Sequence, residues 1–129
     1  MPPRQLRVAI IGAGRAGLGL ARALRRSRTG RITVLSRKDS PADWSSAMDR
    51  SDAILICVPD DAIPLVVTRL AGYDMASKTL LHTSGAAPLS SLAPLRSMGA
   101  QTGVLNTLIS FTPVMEKALR GGKGIALAG

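Results

Sequence analysis

Residues Leu6–Gly17 read LRVAIIGAGRAG, and no other stretch of this chain restricts its fold as tightly. A short, mainly apolar run ends at Gly12, and three glycines then fall within six positions. Beyond them Leu18, Ala21 and Leu24 or Arg25 recur at helical spacing. A run of this length bounded by glycine reads as a buried strand, and the change to a 3.6-residue period marks an amphipathic helix. A strand that turns at once into a helix laid back along it delivers the chain to a parallel neighbour, by a right-handed crossover.

The remainder repeats that unit. Gly30 breaks the first helix, and RITVLS is a second strand. In SPADWSSAM, Ser40 is placed to cap a short helix with Pro41 at its first position. DAILICVP is the most hydrophobic strand and ends at Pro59. DDAIPLVVTRLAG opens with Asp60 and Asp61 as candidate caps, carries Ile63, Val66, Val67 and Leu70 on one face, and stops at Gly72. TLLHTSG is a further strand. PLSSLAPLRSMG is a helix with Ser90 or Ser91 as possible caps, and QTGVLNTL is a strand. VMEKALRGG gives a helical turn or two and KGIALAG a last strand. This alternation predicts an α/β chain: one doubly wound, mostly parallel Rossmann sheet, in a single domain over residues 1–129.

Composition agrees. Apolar residues make up 46% of the 129 residues, yet Trp44, Tyr73 and Phe111 are the only aromatics, so the core must be aliphatic, as in a sheet buried on both faces. The single cysteine, Cys57, excludes an intramolecular disulfide, fits a reducing compartment and reads as strand packing rather than a nucleophile. No apolar run approaches the ~20 residues that span a bilayer, so a cytoplasmic protein is expected. Net charge is +9, and residues 1–38 hold ten Arg or Lys and no acid. That bias is either a solvated face or a field that attracts an anion. Nucleic acid is the weaker partner, since stacking platforms are nearly absent and no nucleic-acid motif is present.

Gly12-Ala13-Gly14-Arg15-Ala16-Gly17 is a G-x-G-x-x-G that follows a strand and opens a helix, the context in which this common string gains meaning. Gly12 suits the tight turn, Gly14 lets a pyrophosphate approach the backbone, and Gly17 lets the helix pack on the strand. The helix N-terminus offers free N–H groups and partial positive charge to phosphates. At the end of the second strand an acid would bind the 2′-hydroxyl of NAD, whereas a cation accommodates the 2′-phosphate of NADP. Here the strand ends in Ser36, Arg37 and Lys38, which points to NADP; Asp39 becomes the ribose acid if the strand runs further. The lone histidine, His82, reads as packed within its strand, and no cluster of ligands accompanies it for a metal.

RVAIIGAGRAGLGLARAL, VPDDAI and LLHTSGA, in that order and spacing, resemble a Rossmann-like family of NADP-dependent oxidoreductases. Those proteins carry a helical C-terminal domain of unknown function and are distant relatives of pyrroline-5-carboxylate reductase and 6-phosphogluconate dehydrogenase. The likeness covers roughly residues 5–128, and VPDDAI with HTSGA is its more specific part. It implies that Gly12, Ala13, Gly14, Arg15 and Ala16 line the pyrophosphate and that Ser36 and Arg37 face the adenosine phosphate. Val58, Pro59 and Asp60 would face the ribose and nicotinamide, with His82, Thr83, Ser84 and Gly85 at the crevice floor. The family usually has a His-Pro pair where this sequence has Asn106-Thr107, so that histidine's role does not carry over. The helical domain would begin where this sequence stops, at Gly129.

The expectation is therefore the cofactor half of an oxidoreductase, with a non-catalytic dinucleotide-binding module as the alternative. The substrate is not identified by any residue. Self-association is expected, because the apolar segments GVLNTLI and GIALAG would otherwise be covered by the helical domain.

Overall fold

A computed structural model describes residues 6–26, 30–84 and 87–105. The elements run β1 (Leu6–Ile11), α1 (Arg15–Arg26), β2 (Gly30–Leu35), α2 (Pro41–Arg50), β3 (Ala53–Ile56), α3 (Ile63–Leu70), β4 (Thr79–His82), α4 (Ala93–Arg96) and β5 (Gln101–Val104). A single 3-10 turn, Asp60–Ala62, leads into α3, and another, Leu89–Leu92, leads into α4. The strands form one parallel sheet in the order β2-β1-β3-β4-β5. The Rossmann-like α/β reading of the sequence is borne out. The expected strand and helix beyond residue 105, together with Asn106, Thr107 and Gly85, lie outside the described residues.

Each face of the sheet carries its own aliphatic core. One gathers Ala9, Ile11, Leu35, Ile54, Ile56 and Leu80 under Trp44, Met48, Ile63, Val67 and Leu70. The other gathers Val8, Ile10, Leu55 and Leu81 under Leu20, Ala21 and Leu24. β3 and β4 are buried along their whole length, which explains their unbroken apolar sequences.

Helix phase and caps need correction at three places. α1 buries Gly17, Leu20, Ala21 and Leu24, whereas Leu18 is 49% exposed. The contact is set by Gly17, where a Cβ would overlap the Gly12 carbonyl, and this close approach turns the helix so that Leu18 faces out. α2 starts as expected: Ser40 Oγ accepts from the Asp43 amide at 3.1 Å, with Pro41 in the first turn. Asp60 and Asp61 cap nothing with their side chains, because the 3-10 turn begins after Pro59 and places both acids inside it. Ser90 and Ser91 likewise lie within a 3-10 turn rather than at a cap.

The chain winds from β1 outward to β2, then crosses to the far side of β1 at β3. The loops leaving β1 and β3 therefore diverge. This is the switch point at which open α/β sheets form their ligand crevice.

Candidate functional site

A cleft of about 650 Å³ opens at that switch point. Ile11, Gly12 and Ala13 line it from the β1 exit, Ser36 and Arg37 from the β2 exit, and Val58 and Pro59 from the β3 exit. Trp44 of α2 and Asp61, Ala62, Leu65, Val66 and Arg69 of the α3 segment complete the wall. Its size is that of an ordinary small-molecule or cofactor site.

The first turn is built by backbone constraints. The Gly12 amide donates to the Leu35 carbonyl and the Cys57 amide to the Ile11 carbonyl, each at 2.8 Å, tying together the three strand exits. Gly12 has φ +118°, and a Cβ there would drive into the Cys57 carbonyl. Gly14 is different: an added Cβ meets nothing within 4 Å. Gly12 and Gly17 thus serve the protein's own packing, whereas the space at Gly14 is left open. Ala13, Gly14, Arg15 and Ala16 are all exposed around the start of α1, whose first turn carries no acid to compete with an anion.

At the β2 exit, Asp39 turns back on Ser36. Its Oδ2 accepts from the Ser36 amide at 2.7 Å and from the Ser36 hydroxyl at 3.3 Å, and Ser36 Oγ in turn accepts from the Lys38 amide at 3.2 Å. The Trp44 indole N–H donates to the Ser36 carbonyl at 3.0 Å. Ser36 is therefore the hinge of a locked turn, with both its donors engaged by Asp39. The strand ends at Leu35, and Asp39 lines a separate cavity between β2 and α2. That position argues against Asp39 as a ribose acid. Arg37 projects into the cleft, while Lys38 is exposed and outside its lining.

One residue was not anticipated. Arg69, in the last turn of α3, lies over the Trp44 ring with its guanidinium carbon 3.8 Å from the centroid. Only the rarity of tryptophan in so aliphatic a chain could have pointed to this place.

Past the β3 and β4 exits, Asp60, His82 and Ser84 lie together. The Ser84 hydroxyl donates to Asp60 Oδ1 and accepts from the Ala87 amide at 3.0 Å. The Ser84 amide donates to His82 Nδ1 at 3.2 Å, so the ring proton sits on Nε2, facing the Pro88 carbonyl at 3.3 Å. These are the residue types of a hydrolytic triad with different wiring, since His82 holds the serine amide and not its hydroxyl. His82 is 0% exposed, as expected of a packed histidine. The cluster ties the β4 exit to the 3-10 turn, and Asp60, His82 and Ser84 are not among the residues that line the cleft. Burial pushes the Cys57 thiol above its ordinary range, with a Thr83 hydrogen bond drawing it partly back, so Cys57 is a packed thiol and a poor nucleophile. Among the described residues no group of side chains could hold a metal, and no helix is long and apolar enough to cross a membrane.

No protein-family model matches the sequence, and no curated protein matches it. Solved structures do. A reductive aminase from Aspergillus terreus in complex with NADPH4, cyclohexanone and allyl amine aligns over 95% of this chain and 54% of its own, with TM-score 0.63 and 20% identity. An imine reductase from the same organism in complex with NADPH4 and dibenz[c,e]azepine aligns over 96% and 55%, with TM-score 0.63 and 20% identity. A further reductive aminase structure, with NADPH and ethyl-5-oxohexanoate, gives 95% and 54%, TM-score 0.62 and 20% identity. This chain shares their fold. It spans about half the length of those structures.

Proposed function

We propose that this chain is the NADP-binding domain of an oxidoreductase. The observation that carries the reading is the cleft itself, in which a glycine turn with open space at Gly14, a cation at the second strand exit and the third strand exit share one cavity at the switch point. The NADPH-bound state of the structural neighbours supports it.

In this assignment the pyrophosphate lies on Gly12, Ala13, Gly14, Arg15 and Ala16 at the start of α1, with Gly17 holding that helix against β1. The adenine rests on Leu65, whose 74% exposure leaves an apolar side chain with nothing over it. Arg37, assisted by Lys38, takes the 2′-phosphate while Ser36 sets the turn. Val58 and Pro59 face the ribose and nicotinamide, and Asp60 and Ser84 form the floor at that end. The reduced nicotinamide supplies a hydride when bound. The chain's part is to bind and orient, since neither nitrogen of His82 reaches the cleft to move a proton.

Substrate binding and shielding fall to parts beyond the cleft. The domain by itself should bind cofactor and turn over little or nothing. A homo-oligomer in the cytoplasm completes the proposal. Calorimetric titration with NADPH and NADH tests the binding, and light scattering after size exclusion tests the assembly. Brisk oxidation of NADPH by the isolated chain as a monomer would overturn the account of a cofactor domain that depends on other parts.

A further inference from the structure

The locked β2 turn and α3 meet at one side chain. Trp44 is 2% exposed, and it does two things at once: its indole N–H holds the Ser36 carbonyl, and its ring face carries Arg69. The residue after Ser36 is Arg37. A single buried indole therefore holds the turn that presents Arg37 and carries Arg69 on its face, and both arginines line the same cleft. The indole holds Arg69 in place on the cleft wall, and among the described residues no hydrogen bond engages its N–H donors.

Structural use alone does not account for the pair. Among the described residues neither arginine is held in an ion pair, and the one acid in the cleft wall, Asp61, stands at the opposite end of the α3 segment from Arg69. Two like charges directed into one concavity repel each other until an anion enters between them. A planar donor fork suits a phosphate dianion better than a lysine would, because it can give two parallel hydrogen bonds.

We infer that Arg69 is a second specificity-determining residue for the phosphorylated ribose: Arg37 and Arg69 grip the 2′-phosphate of NADP from two sides, on the common support of Trp44. This rests on the NADP reading above and adds a residue to it from α3, 32 positions from Arg37 along the chain.

The chain supplies its own probe, since Trp44 is the only tryptophan. Its fluorescence is followed while the protein is titrated with adenosine 2′,5′-bisphosphate and, separately, with adenosine 5′-monophosphate. Isothermal calorimetry gives the affinities. Loss of one charge-assisted contact is expected to weaken the bisphosphate about tenfold or more in Arg69→Ala, with less than about a twofold change for the monophosphate. Arg69→Lys should restore part of the loss, because the charge returns without the stacked plane. Circular dichroism checks that each variant is folded, and Arg69→Gln replaces any that is not. The same result from Gln as from Ala supports the proposal. Equal weakening of both ligands, or no change in either, would make Arg69 merely a cover for Trp44 and overturn the inference while the NADP reading stands. Failure of the unaltered protein to prefer the bisphosphate would overturn both.

Discussion

The two ends of the sheet treat charge in opposite ways. At the amino ends of the strands, Arg7 and Asp52 are paired: Asp52 Oδ2 accepts the Arg7 amide at 3.0 Å and lies 3.6 Å from Arg7 Nε. Lys78 donates to the Ser51 carbonyl at 2.7 Å, and burial draws its pKa down while Asp52 draws it back up. At the carboxyl ends, Arg37 and Arg69 share a cleft without an ion pair among the described residues, beside an exposed Leu65 and the empty space over Gly14. A charge engaged by its own protein serves the fold. Cations left without an ion pair among the described residues are open to a ligand, and the proposed adenosine site makes use of them.

This contrast breaks most sharply at the glycines. Gly14→Val should abolish dinucleotide binding while changing the free energy of unfolding in urea by less than about 0.5 kcal/mol, the range of substitutions that meet nothing. Gly17→Ala should act first on stability. Its methyl must displace the Gly12 carbonyl, at a cost of about 1–3 kcal/mol in denaturant unfolding. If Gly14→Val still gives a normal heat of NADPH binding, the crevice lies elsewhere.

A smaller effect belongs to the other end. Asp52→Asn weakens the pairing of a half-exposed arginine, so about 1 kcal/mol or less should be lost. NADPH affinity should not change, because nothing in that cluster lines the cleft. A parallel loss of affinity would show that the two ends are coupled and the contrast false.

The smallest effect is a pH slope. The folded Cys57 thiol titrates above its ordinary value of 9.0. The folded state then binds more protons than the unfolded chain once pH passes 9.0, so its contribution is complete below that pH and declines as pH rises further. Lys78 has the opposite sign: its lowered pKa makes the unfolded chain the better proton binder, and stability gains as pH climbs toward 10.5. The Cys57 share is isolated by comparing the unaltered protein with Cys57→Ala between pH 8 and pH 10, where the variant should lose the downward slope. Identical slopes would mean that the thiol is not held in its buried place.

The strands were legible because their apolar runs have glycine or proline close to at least one end, and so was the α2 start, where Ser40 and Pro41 are adjacent. The face of α1 was not, because a Gly17–Gly12 backbone contact, and not side-chain hydrophobicity, decides which leucine is buried. Asp60 was misread as a cap for a related reason. Its partner is Ser84, 24 residues away, and only the parallel pairing of β3 with β4 brings them together. Arg69 had no local signal, being a basic residue in a last helical turn, where such residues are common. Features set within one turn were readable; those that depend on two elements meeting were not.

The central claim is that Arg37, the cation at the β2 exit, selects a phosphorylated ribose. Calorimetric titration of the unaltered protein and of Arg37→Ala with NADPH and NADH tests it most directly. One charge-assisted contact is worth about 1.5–3 kcal/mol, so NADPH should bind roughly ten- to a hundredfold more tightly than NADH, and Arg37→Ala should erase most of that preference with NADH affinity nearly unchanged. Equal affinity of the unaltered protein for the two cofactors would contradict the account.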